Sequence, residues 1–258
     1  MATSTKFSWT NRIETATLKN GTGGGAPALD EVTPWLTTQV QNRDRGLVWQ
    51  AAASLNVDFT LLAAYDVTYF AALGHRGAPS SAVGIASIEV FTQTGAYAAA
   101  GTWTTRGTIT LGSGVRDGGL TIATQNVNSV RYAITATTAF TLGRLYAGTV
   151  EYDLGVVSSP GRIRRRISPR LDQRLAGGQI HLTTSGDVRW EYQLPFVDID
   201  STLWAKVLAA GSRTQSLLLI DRDASVYEAV PHDGTLSEQL DFDYPDTITT
   251  RLDLDTLG

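Results

Sequence analysis

The chain has 258 residues with 21 basic and 25 acidic side chains and no cysteine. Without cysteine there is no disulfide scaffold, no thiol nucleophile and no Cys-based zinc or iron–sulfur centre. The net charge of −4 removes the simplest case for nucleic-acid binding, and no apolar run approaches the roughly 20 residues of a membrane-spanning helix.

Residues Met1–Thr10 lack the charged, apolar and small-residue succession of a secretory signal. The expectation is a soluble, folded protein made in the cytoplasm. Gly21-Thr22-Gly23-Gly24-Gly25 reads as a surface loop, because it lacks the Lys-Ser/Thr ending that a phosphate-cradling loop needs. Five stretches then read as strands: Leu55–Leu62, Val83–Phe91, Thr108–Leu111, Gly119–Ala123 and Val130–Ala136. All are short, rich in β-branched and aromatic residues, and punctuated by Gly, Pro or Asn at sandwich-like intervals. Ile85-x-x-Ile88-x-Val90 and Tyr132-x-Ile134 carry partial period-2 alternation, which suits strands with one face in a core.

Composition shifts near residue 155. Gly155–Gly178 holds prolines, glycines and the basic run Arg162-x-Arg164-Arg165-Arg166, and reads as a connector. Beyond it, Val188–Phe196 reads as a strand. Asp200 or Ser201 can cap a helix whose Leu203, Trp204, Val207 and Leu208 recur at helical spacing, with Gly211 as a left-handed stop. Leu217–Ile220 and Thr247–Leu254 read as strands of a small α+β body. The expected domains are therefore a β-sandwich over 1–152, an Arg-rich connector over 153–178 and an α+β docking domain over 179–258.

Catalytic chemistry finds little support. The three histidines, His75, His181 and His232, accompany no Gly-x-Ser-x-Gly elbow and no His-Glu-x-x-His zinc motif. His75 lies in the turn Leu73-Gly74-His75-Arg76-Gly77, where it serves either a structural hydrogen bond or a ligand contact. The acidic groups Asp30-Glu31, Asp221/Asp223 and Asp241/Asp243/Asp246 could pair as glycosidase carboxylates or hold calcium. A solvated acidic face is the plainer reading. No catalytic residue, metal or cofactor is assigned.

Arg162, Arg164, Arg165 and Arg166 lack the interleaved aromatics of a base-stacking surface. Docking on carboxylates suits them better, and a candidate acceptor lies in the chain. From Asp221 to Gly258 there are ten acidic residues and two arginines, leaving the first 220 residues at +4. Such polarity is useful in assembly. Among the six tryptophans, Trp35 after Thr33-Pro34 and Trp103 between threonines and a glycine turn are the candidates for exposed rims, where aromatics stack on sugars or anchor interfaces.

Three segments, in order over residues 35 to 150, carry a resemblance. Tyr69-Phe70-Ala71-Ala72-Leu73-Gly74-His75-Arg76-Gly77 resembles a strand-then-turn of galactose-binding-like jelly rolls in minor tail proteins of tailed bacteriophages. Val130-Arg131-Tyr132-Ala133-Ile134 is similar to a late strand of those domains, and Thr141-Leu142-Gly143-Arg144-Leu145-Tyr146-Ala147-Gly148 to their closing strand. Arg76 stands where that family often has asparagine, and Ala133 where a second aromatic is common.

The resemblance implies a mainly β protein, a galactose-binding-like jelly-roll sandwich followed by a small α+β domain. It also implies a structural role in a phage tail, at the distal end or tail tip, in a virion assembled in the host cytoplasm. The partners would be other phage tail proteins and further copies in a homo-oligomeric ring, with host-surface glycan as an optional contact, and neither nucleic acid nor membrane insertion. The alternative is a carbohydrate-binding module or adhesin. Trp35, His75, Arg76 and Trp103 are the candidate ligand contacts. Arg162, Arg164, Arg165 and Arg166 are the candidate interface.

Overall fold

The computed structural model describes residues 4–20, 40–41, 49–51, 54–77, 84–111, 117–154, 163–167, 170–174, 180–184, 189–213, 215–220, 226–231, 237–240 and 248–256. The first elements are β1 (Lys6–Ser8), a 3-10 turn (Arg12–Thr15), β2 (Thr17–Asn20), β3 (Trp49–Ala51), β4 (Leu55–Leu73) and β5 (Arg76–Gly77). Next come β6 (Ile85–Gln93), β7 (Thr104–Thr110), β8 (Gly118–Ala136), β9 (Phe140–Leu142), β10 (Arg144–Gly148) and β11 (Tyr152–Asp153). There follow β12 (Ile163–Ile167), β13 (Arg170–Arg174), β14 (Ile180–Thr184), β15 (Arg189–Ile199) and the helix α1 (Ser201–Gly211). The last are β16 (Leu217–Ile220), β17 (Val226–Pro231), β18 (Ser237–Leu240) and β19 (Ile248–Thr256). The protein is mainly β, as its sequence indicates.

Two compact units divide the chain: Ser8–Glu151 with Ala224–Val226, and Met1–Phe7 with Tyr152–Asp223 and Tyr227–Gly258. The first is an antiparallel sandwich. One sheet runs β10-β4-β8-β6-β7, with β2 also on β4, and the other runs β3-β9-β5. Alternation explains the core between them. Val57 and Phe59, Ile88 and Val90, and Val130 and Tyr132 are buried from one sheet, Trp49, Phe140 and Leu142 from the other. Trp49 meets Phe140 edge-on at 5.4 Å, and Phe59 meets Tyr132 at 6.2 Å. Each such side chain contributes about 1.5–3 kcal/mol by leaving water.

The strands are longer than their sequence suggests. β4 and β8 each run 19 residues, so the segments Gly119–Ala123 and Val130–Ala136 are one strand joined through the polar Gln125–Asn128. Register shifts between Thr60 and Tyr65 and between Val67 and Tyr69 relieve the pair, because bulges absorb twist. The first bulge leaves Leu62 69% exposed.

The closing motif is structural. Arg144 is buried and ion-pairs with Glu14 of the 3-10 turn. Asn11 caps that turn through Oδ1, which accepts from Ile13 N and Ala147 N, while its Nδ2 donates to Leu145 O. Gly148 packs so closely that a Cβ there would lie 2.2 Å from Thr10 O.

In the second unit, one sheet follows the order β11-β1-β16-β17-β19-β15-β12 with β18 also on β19, and β13-β14 forms a separate hairpin. Phe7, in the N-terminal strand, thus pairs opposite Tyr152. The segment 153–178, expected to be a connector, supplies β12, whose Arg165 is in register with Glu191, itself in register with Asp255. Asp200 caps α1, its Oδ1 accepting from Leu203 N at 2.7 Å. Two helix expectations need correction. Gly211 is helical, and the chain leaves the helix at Ser212 with φ −82°. The buried face carries Val207 and Ala210, whereas Leu208 is 43% exposed.

Candidate functional site

The loop between β6 and β7 folds back over the outer face of the sandwich's larger sheet. Its shape follows from its residues. Gly95 takes φ +82°, a left-handed conformation that favours glycine, and donates its N–H to Asn128 Oδ1. Gln93 clamps the far side: Oε1 accepts from Ala98 N at 3.0 Å and Nε2 donates to Ala98 O at 3.2 Å. The loop therefore holds one shape, and it carries Tyr97 and Trp103.

Beneath them lie Asp58 of β4 and Arg131 of β8, in register across the sheet. Asp58 is wholly buried, which a carboxylate tolerates only when paired and hydrogen-bonded. Arg131 meets that need as a fork, donating from Nε to Oδ1 and from Nη2 to Oδ2, both at 2.7 Å. Tyr97 OH donates to Asp58 Oδ2 at 3.0 Å. The hydrogen bond to Asp58 is the chief cause that raises the Arg131 pKa, so its charge is fixed. Burial, then the Asp58 charge, push the Tyr97 phenol up to about 12.

Trp103 completes the cluster. The Arg131 guanidinium lies over its ring, 4.2 Å from the centroid, and Tyr97 meets it edge-on at 6.2 Å and 74°. Trp103 Nε1 donates to Ala99 O at 3.3 Å, and Arg131 Nη2 donates to the same oxygen at 3.1 Å. Trp103 and Tyr97 remain partly exposed. The arrangement is a rigid aromatic platform with polar atoms around it. It offers stacking and hydrogen bonding, and no nucleophile–base pair.

Of the residues singled out from sequence, Trp103 is in this cluster. His75 is 3% exposed, and its Nε2 accepts from Ile85 N at 2.9 Å, so here it organises the turn after β4. Arg76 lies in β5, in register with Thr141 of β9. Trp35 and Arg162 fall outside the described residues, as do Asp30-Glu31, Asp221/Asp223 and Asp241/Asp243/Asp246. Arg164, Arg165 and Arg166 are consecutive in β12, in register with Tyr192, Glu191 and Trp190. No group of three or more metal-ligating side chains occurs among the described residues, and no described helix is long and apolar enough to cross a membrane.

Asp58, Tyr97 and Arg131 escape sequence reasoning as site residues. Asp58 did leave a signal, a lone acid at an alternating position between Val57 and Phe59. Its partner is 73 residues away, and nothing local links the two.

No family model matches the chain, and no curated protein matches it. Several solved structures resemble a little over half of it. Chitosan-binding module 1 of a chitosanase/glucanase from Paenibacillus sp. IK-5 shares 15% identity at TM-score 0.42, over 54% of this chain and 98% of that one. The family 32 carbohydrate-binding module of Clostridium perfringens NanJ, solved with galactose, shares 14% at TM-score 0.40, over 55% and 98%. A three-domain piece of Clostridium perfringens ZmpB, with two family 32 modules and an M60 catalytic domain, shares 11% at TM-score 0.44, over 56% and 15%. These are coarse likenesses of outline.

Proposed function

We propose that this protein is a carbohydrate-binding module whose sandwich presents Trp103 and Tyr97 to a sugar. One observation carries the reading: a partly exposed indole is held from below by a guanidinium that is itself locked on a buried carboxylate. Sugar rings present flat C–H faces, and an aromatic ring already fixed in place loses little freedom on stacking against one. The same contacts also pin the loop, so the discriminating experiment separates binding from stability. A glycan array on the folded full chain identifies a saccharide, and calorimetry then compares wild type with Trp103→Ala. The expected result is at least a tenfold loss of affinity, equivalent to about 1.4 kcal/mol, with the fold intact by circular dichroism. An array without signal, or unchanged affinity in the variant, rejects the reading.

The virion-tail role, its protein partners and its location rest on the ordered sequence motifs. Antibody labelling of tails in purified virions tests them.

A further inference from the structure

Beyond the platform, the outer face of the larger sheet continues as an open polar surface, and its rows follow from the strand register. Phe91 stands between Thr105 and Arg131, in the row that ends at Asp58. One step along the strands, Glu89 stands between Thr108 and Ala133, with Asn56 beyond. A further step brings Ser87 between Thr110 and Thr135. Glu89, Asn56, Thr105, Thr108, Thr110 and Thr135 are exposed, while Ile88 and Val90, which alternate with them, are buried. From Phe91 to Ser87 the face extends roughly 14 Å at about 3.4 Å per residue, well beyond a single sugar ring.

The charges on this face are unequal. The Arg131 cation is taken up by Asp58. Arg106, the other arginine described on these strands, donates from Nε to Thr92 Oγ1, on the side of Ile88 and Val90. Glu89 has no ion pair among the described residues. The surface next to the platform is therefore net negative and rich in hydroxyls.

From this we infer that the site takes an oligosaccharide rather than a single sugar, running from Trp103 over Phe91 and Glu89 toward Ser87, and that it selects non-acidic chains, amino-bearing units being favoured beside Glu89. The inference rests on the carbohydrate reading and adds length and charge selection to it. Hydroxyls and a carboxylate can accept from sugar O–H and ammonium groups, whereas a uronate or sulfate would meet Glu89 without a compensating cation.

The test uses the full chain with glucosamine, its tetrasaccharide and a galacturonate tetrasaccharide, against wild type, Glu89→Lys and Glu89→Gln. Wild type should bind the glucosamine tetrasaccharide at least tenfold more tightly than glucosamine and reject the galacturonate chain. Glu89→Lys should lower affinity for the amino chain about threefold to fivefold, as suits an exposed charge pair, and gain affinity for the acidic one. Glu89→Gln should lose the amino preference and keep the dependence on length. Equal affinity for one and four units, or equal binding of acidic and amino chains, overturns the inference. It leaves the platform standing if Trp103→Ala still abolishes binding. Binding of no saccharide removes both.

Discussion

Asp58 and Arg131 face each other on neighbouring strands, and both oxygens of the buried carboxylate accept from one guanidinium at 2.7 Å. The Asp58 side chain is wholly buried and that of Arg131 is 14% exposed, so neither charge can exchange its partner for bulk water. Removing one partner leaves the other desolvated and unpaired, at about 3–5 kcal/mol. Asp58→Ala should lower stability in urea by that amount and release the Trp103 ring, which tryptophan fluorescence reports. Arg131→Lys keeps the charge but loses the fork and the stacking on Trp103. It should cost less stability than Asp58→Ala and weaken saccharide binding nearly as much as Trp103→Ala.

The second prediction concerns Gly148. Its missing side chain lets Thr10 O approach to where a Cβ would lie 2.2 Å away, and that oxygen is backbone, which cannot step aside cheaply. Gly148→Ala should cost about 1–3 kcal/mol, the usual range for forcing atoms into filled space. Thermal unfolding measures it. Saccharide affinity at a temperature where the variant is folded should stay at the wild-type level.

Alkaline pH acts through tyrosine. The Tyr97 phenol is pushed up to about 12 from its ordinary 10, by burial and then by Asp58. Between those values the unfolded chain has released this proton and the folded chain still holds it, so stability falls as pH rises. Burial shifts Tyr69, Tyr132 and Tyr146 upward too, and they act in the same direction. Urea unfolding at pH 9 and pH 11 should show the loss, and it should be smaller in Tyr97→Phe. An equal loss in that variant would place the effect in the buried tyrosines alone.

What the sequence made legible was whatever repeats locally. The alternation around Ile88 and Tyr132 indicated strands with one buried face, and the four apolar residues Leu217–Ile220 indicated a buried one. Asp200 as a cap needed only the chain around it. The reading failed where a partner is distant. The polar run Gln125–Asn128 looked like a break, but β4 pairs with it as far as Gln125 and holds it in strand form. The aromatic platform had one visible member, Trp103, because Asp58, Tyr97 and Arg131 meet it only through the sheet register and the folded loop.

The arginine run gives a prediction in which two mechanisms part company. Glu191 and Asp255 are in register on neighbouring strands, an unfavourable arrangement of like charges, and Arg165 is in register with Glu191 on its other side. A cation at that position offsets the repulsion within one chain, by roughly 0.2–1 kcal/mol for a cross-strand pair. Arg165→Ser should then lower the urea midpoint at low ionic strength. The difference should shrink at 1 M salt, where screening acts within about 3 Å, and the sedimentation coefficient should match that of wild type throughout. Docking on another subunit predicts the reverse pattern, with sedimentation that changes with salt and with the mutation while the unfolding midpoint of dilute protein holds steady. Replacing Arg164 or Arg166 instead separates the cases further. Neither is in register with a carboxylate, their partners being Tyr192 and Trp190, so the intrachain mechanism assigns them a smaller salt-dependent effect than Arg165.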